Sequence, residues 1–264
     1  MSLLIESDRP ATRRPVRRGW PLAIVLILLS AIPLAAGALR LIELFGGPEL
    51  RAPDPRFGSV PVALIVHIVT SAGFALGGVV QFLPRFRRAH REWHRRIGRG
   101  VALAGGVVAC SALWLTLTYE PQPGTGSLLL AFRLVFATAM LGCLVLGVRA
   151  IRSGAVGEHR AWMTRAYAIG LGAGTQAFTE GIAVGLLGES VLVGDLAKGA
   201  GWMLNLLIAE VALRRCRRSE RFGQRVNRVR PNLASEAIPR PVPAKPVPTA
   251  GTDTRAPERR RHDE

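Results

Sequence analysis

The chain has 264 residues, 49% of them hydrophobic and gathered in long blocks, a distribution that fits one membrane domain with polar tails better than one or two soluble domains. Its formal net charge is +17, but the basic residues flank apolar runs and do not interleave with stacking aromatics, which argues against a nucleic-acid-reading surface. Cys110, Cys143 and Cys216 show no CxxC or metal-ligand spacing, so neither a structural disulfide nor a thiolate metal site is expected.

Residues 1–19 carry Arg9, Arg13, Arg14, Arg17 and Arg18 and read as a basic cytoplasmic segment. The apolar run Trp20 to Leu39 follows and contains Pro33. A basic start, an apolar run and the small residues Ala36, Gly37 and Ala38 also resemble a cleavable signal. The run is long enough to cross the ~30 Å hydrocarbon core at ~1.5 Å per residue, so it is read as a first anchoring helix. Residues 40–60 balance Arg40, Arg51 and Arg56 against Glu43, Glu49 and Asp54, as an external loop would.

A second helix is expected over Pro61 to Leu83 and a third over Ile97 to Tyr119. Between them stand Arg85, Arg87, Arg88, Arg91, Arg95, Arg96 and Arg99 against the single acid Glu92. That bias in a short connection places it in the cytoplasm. A fourth helix over Ser127 to Ala150 returns to a basic loop bearing Arg149, Arg152, Arg160 and Arg165, and a fifth over Ala166 to Leu187 crosses outward. Gly188 to Ala197 reads as external, and a short sixth run, Lys198 to Leu213, ends on Arg214, Arg215, Arg217 and Arg218. The expectation is an all-α, six-helix transmembrane bundle over residues 20–214 with both termini cytoplasmic. Residues 215–264, rich in Pro and Arg without apolar periodicity, read as a disordered tail.

Small residues recur at intervals of four, at Gly73 and Gly77, Ala102 and Gly106, Gly170 and Gly174, and Gly181 and Gly185, and permit close helix contact. So little bulk places the fifth helix centrally. The pattern His90-Arg91-x-Trp93-x-x-Arg96 is echoed by His159-Arg160-x-Trp162-x-x-Arg165, as a parallel repeat of two hairpins would require; a register beginning at His94 gives a partial match too.

Two groups of residues carry candidate chemistry. Counted along their spans at ~1.5 Å per residue, His67, Arg133 and Glu180 share one depth, ~9–11 Å below the outer boundary, with Asn205 at a similar level and Gln176 one turn deeper. Ionisable groups inside a bilayer normally face a partner or a wet cavity. An Arg133–Glu180 pair with His67 beside it, converging on an outward-opening polar cavity, is the arrangement expected; a structural ion pair locking helices is the alternative. The second group, His90, His94, His159, Arg160 and Arg165, lies at the cytoplasmic face. Its imidazoles suit a metal or one side of a haem, or else lipid headgroups and helix ends, and no carboxylate or thiolate stands at ligand spacing. No phosphate-binding loop, hydrolase elbow or zinc helix motif is present.

Gln81-Phe82-x-Pro84, His94-Arg95-x-x-Gly98-Arg99, His159-Arg160-x-Trp162-Met163-x-Arg165-x-Tyr167-Ala168 and Gly172-Ala173-Gly174-Thr175-Gln176 together resemble the bacterial membrane family called domain of unknown function 2306. The resemblance covers roughly residues 60–215. It implies a multi-pass protein of the bacterial inner membrane and brings no reaction with it. Three functions stay open: binding or translocation of a small solute or proton, a haem- or quinone-linked redox role, and an architectural membrane subunit. The expected partners are the bilayer and, at the cytoplasmic face, anionic headgroups.

Overall fold

The computed structural model describes residues 20–48 and 61–236, and the basic N-terminal segment, much of the loop expected to be external and residues 237–264 lie outside the described residues. Among the described residues every regular element is helical: α1 (Trp20–Leu44), α2 (Val62–Phe82), α3 (Pro84–Ala89), α4 (Arg91–Thr118), α5 (Ser127–Arg152), α6 (Val156–Gly170), α7 (Gly172–Leu187) and α8 (Val191–Glu236). Five of them are long and apolar enough to cross a membrane: α1, α2, α4, α5 and the Val191–Ser219 part of α8.

The apolar runs locate the helices, and the departures from expectation lie at their ends. The arginine connection is itself helical. Pro84 occupies the first turn of α3, where its missing N–H costs nothing, and α4 begins at Arg91, six residues before the expected start. Arginine and glutamate are good helix formers, and no breaker separates Arg91 from Ile97. Likewise α8 starts at Val191, inside the expected external loop, where Ser190 Oγ accepts the Val193 N–H at 3.2 Å as an N-cap. At its far end α8 continues to Glu236, so positions 215–236 are helical where a disordered tail was expected.

The expected fifth span differs most, because it is two helices. α6 begins ten residues early and ends at Gly170, and α7 starts at Gly172 after Leu171, whose φ of −75° and ψ of −2° flatten the helical path. The break falls inside Gly170-Leu171-Gly172-Ala173-Gly174, where backbone is least constrained. Each of the three glycines also admits a neighbour where a Cβ would stand: the Phe74 ring from α2 at Gly170, the Trp202 indole from α8 at Gly172 and the Leu29 carbonyl from α1 at Gly174. The α6–α7 junction is thus a place where α1, α2 and α8 all make close contact. By contrast, nothing lies within 4 Å of a Cβ at Gly73, Gly106, Gly181 or Gly185, so half of the small-residue pattern marks no close contact.

Around this junction sits the core of Phe74, Val101, Val108, Ala109, Phe136, Met140, Leu144, Ala166, Tyr167, Ile169 and Leu171. Tyr167 lies between the rings of Phe74 and Phe82, with centroids 5.5 and 5.0 Å away, and donates its hydroxyl to Ala75 O at 2.8 Å. Burying a phenol this way satisfies its one polar group while its ring packs. Outward-facing Leu103, Trp114, Leu117, Val135, Phe178, Leu186 and Leu207 stay exposed, as lipid-facing side chains should.

Candidate functional site

α6 and α7 run antiparallel to α8, and a series of polar side chains bridges that contact. The face that α8 presents repeats every four residues: Ala197, Gly201, Asn205, Ala209 and Leu213 are all buried. Small residues at three of these five positions, Ala197, Gly201 and Ala209, let the facing helices approach closely enough for polar side chains to bridge the backbones. At one end Glu180 pairs with Lys198. Next, Thr179 donates to Ala197 O at 2.7 Å and Gln176 Nε2 to Lys198 O at 3.2 Å. Deepest, Thr175 donates to Asn205 Oδ1 at 2.8 Å, while Asn205 Nδ2 donates to Ala168 O at 3.1 Å. At the arginine-rich end Arg165 makes two bonds to Glu210 Oε2, of 3.2 and 2.8 Å, and its guanidinium lies 4.8 Å from the Trp162 ring centroid.

Asn205 has a defined task here. The last carbonyls of a helix lack an intrahelical donor, and inside a bilayer no water replaces it. Ala168 O is among the last four of α6, and Asn205 supplies its donor while holding α7 through Thr175. One amide therefore spans the break.

Of the outer-layer candidates, the seam unites Gln176, Glu180 and Asn205, and leaves out the other two. The expected convergence of His67, Arg133 and Glu180 gives way to three separate helix contacts. His67 Nδ1 lies 3.0 Å from Ser111 Oγ, joining α2 to α4. Arg133 lines a pocket of about 30 Å³ with Thr116, Tyr119, Glu120 and Gly126, room for roughly two waters. Glu180 takes Lys198 and not Arg133 as its ion-pair partner. Counting residues along a helix gives depth, and the three stand ~7–11 Å from one end of their helices; it gives no azimuth, and azimuth selects the neighbour.

Asp195 was missed because it fell in a stretch read as loop. It is 2% exposed, on α8, and its carboxylate accepts the N–H of Gly126 at 3.1 and 3.2 Å and of Leu129 at 3.1 Å. Those are free donors of the α5 N-terminus, so the cap of α5 comes from a residue 69 positions away. Lys198, Thr175, Thr179 and Glu210 were also missed. The four-residue spacing of Ala197, Gly201, Asn205 and Ala209 was the available signal for them.

The cytoplasmic-face candidates do not form a ligand cluster. His90 is exposed, with its ring 5.5 Å from that of Phe86. Gln81, its amide oriented to suit its neighbours, donates to His94 Nδ1 at 2.7 Å and accepts the Gly98 N–H at 3.3 Å. His159 Nδ1 meets Gly147 O at 2.8 Å, Arg160 lies partly buried beside it on α6, and Arg165 serves Glu210. Among the described residues no group of three or more His, Cys, Asp or Glu side chains is placed to hold a metal. His94 and His159 are each the fourth residue of their helix, α4 and α6; His94 packs on Gln81 of α2, the preceding span, and His159 on Gly147 of α5. The register beginning at His94 superposes the two histidine contacts, and the register beginning at His90 superposes the cation–π stacks of Trp93–Arg96 and Trp162–Arg165.

Gln81, His94 and Gly98 thus touch one another, Tyr167 packs on Phe82, and Gly172, Gly174, Thr175 and Gln176 line the break and seam. The residues that carry the sequence resemblance are those that fasten the bundle. The family model described as predicted membrane protein (DUF2306) matches residues 64–213, more than half of the chain and the whole of this arrangement from α2 to the buried part of α8. The chain belongs to the DUF2306 family. It is a multi-pass membrane protein, and the matched region leaves out α1 and everything after Leu213. Comparison with curated proteins and with solved structures gives no match.

Proposed function

We propose that this DUF2306 protein binds or translocates a small solute or proton through the α7–α8 seam. The observation that carries this reading is the Glu180–Lys198 pair, set ~10 Å into the outer half of a span that is broken at Leu171. Ionisable pairs inside a membrane mark solute and proton paths, and discontinuous helices recur where transporters bind their cargo. In this reading α6 and α7 together make one crossing, giving six, and both termini face the cytoplasm of a bacterial inner membrane. The exposed Arg85, Arg87, Arg88, Arg91, Arg95 and Arg99 support that orientation and would meet anionic headgroups there. Single cysteines at Gln122 and Ser153 should label from the outside and the inside respectively.

The test is proton flux into liposomes containing the purified protein and an internal pH-sensitive dye. The parent should exceed protein-free liposomes, and Glu180→Gln should lower the flux about tenfold or more, the loss of one proton-relay group being worth at least ~1.4 kcal/mol. A second reading, an architectural subunit, is favoured by the way Thr175, Gln176, Thr179 and Asn205 spend their polar groups on the two helices. Parent liposomes indistinguishable from protein-free ones, with Glu180→Gln acting only on stability, would decide for it.

A further inference from the structure

We infer that the seam carries two gates that open alternately, an outer one at Glu180–Lys198 and an inner one at Arg165–Glu210, about a pivot at Asn205; this rests on the translocation reading above. Three features of the contact lead there. Its two ends are held by ion pairs whose side chains remain partly exposed, 39% and 20% for Glu180 and Lys198 and 22% and 33% for Arg165 and Glu210. Its middle is held by neutral hydrogen bonds from buried side chains, Thr175 and Asn205. Between the ends, the helix facing α8 is interrupted at Leu171, so α6 belongs to one gate and α7 to the other.

An unbroken helix would have to leave α8 along its whole length. A break lets each half swing separately, while Asn205 holds Ala168 of α6 and Thr175 of α7 and so couples one half to the other. Gly172 against the Trp202 indole provides a contact point at the break with no side chain to interlock. Opening at one end then exposes only that end, as alternate access to a path requires, and ion pairs that the protein encloses only in part give up few other contacts on separating.

Two buried α8 residues report on the gates, Ala197 beside Thr179 and Ala209 next to Glu210. Each is changed singly to cysteine in a Cys110→Ser, Cys143→Ser, Cys216→Ser background, and labelling by a membrane-impermeant maleimide is followed in nanodiscs, where both faces are accessible. Lys198→Met should raise the labelling rate of Ala197→Cys about fivefold or more and lower or leave unchanged that of Ala209→Cys. Glu210→Gln should do the reverse. The exchange Glu180→Lys with Lys198→Glu should return the parent rates, which separates gate opening from general loosening. A parallel rise at both reporters with either variant, or no rise at either, overturns the two gates. Because labelling does not need flux, reciprocal labelling in a protein that moves no protons removes the proton path and keeps the gates, whereas flux with parallel labelling does the opposite.

Discussion

The carbonyl oxygen of Leu29 occupies the place where Gly174 would carry a Cβ. Pro33, four residues on in α1, has no N–H to give that carbonyl, so the oxygen is free to turn toward the neighbouring helix, where it faces the glycine's Cα hydrogen. A proline in one span and a glycine in another thereby make a single backbone contact, and Ser30 beside it, 1% exposed, returns its own hydroxyl to Leu26 O at 2.8 Å.

Gly174→Ala should therefore be destabilising by about 1–3 kcal/mol, since a methyl group would have to displace backbone. Gly181→Ala, on the same helix with open space around it, should be neutral or gain up to ~1 kcal/mol through helix propensity. Thermal unfolding in detergent compares the two, and equal effects would show that α1 does not rest on α7 at Gly174.

Asp195 and the first turn of α5 give a second expectation. Asp195→Ala leaves the Gly126 and Leu129 amides without an acceptor and should cost about 1–3 kcal/mol, with Asp195→Asn intermediate because one acceptor oxygen survives. Amide exchange at these two residues should quicken before global unfolding. Unchanged exchange in Asp195→Ala would mean that the α5 terminus finds its acceptor elsewhere.

The partner of Glu180 can be identified by rescue. Glu180→Gln alone leaves Lys198 without its ion-pair partner and should lower stability, and adding Lys198→Gln should recover part of the loss, with a coupling of about 0.5–3 kcal/mol. Arg133→Gln, in a different helix contact, should add its own effect independently. Recovery by Arg133→Gln in place of Lys198→Gln would reassign the pair.

How much of this was legible in the chain varies with the physical signal. Hydrophobic blocks of about 20 residues announce spans because the bilayer's thickness fixes how many residues must be apolar, and those blocks locate α1, α2, α4, α5 and the apolar part of α8. Motifs with fixed offsets, such as Gln81 with His94 and Gly98, sufficed for the family because these side chains meet across two antiparallel helices. Helix ends were less legible. The arginines of α3 and α4 and the polar start of α8 are compatible with helix or loop until capping and packing decide.

What only the tertiary structure decided was partnership. A sequence gives each residue a depth along its helix but not the direction it faces once neighbours are packed, so His67, Arg133 and Glu180 were read at one level and face three separate sets of neighbours. The break at Leu171 is likewise a collective outcome. Gly170, Gly172 and Gly174 permit it, but it persists because Phe74, Trp202 and Leu29 fill the space the absent side chains leave and because Asn205, 37 residues from Ala168, supplies the donor that the interrupted ladder needs. In a bilayer that donor has to come from protein, and which protein atom supplies it is settled only when the helices are in contact.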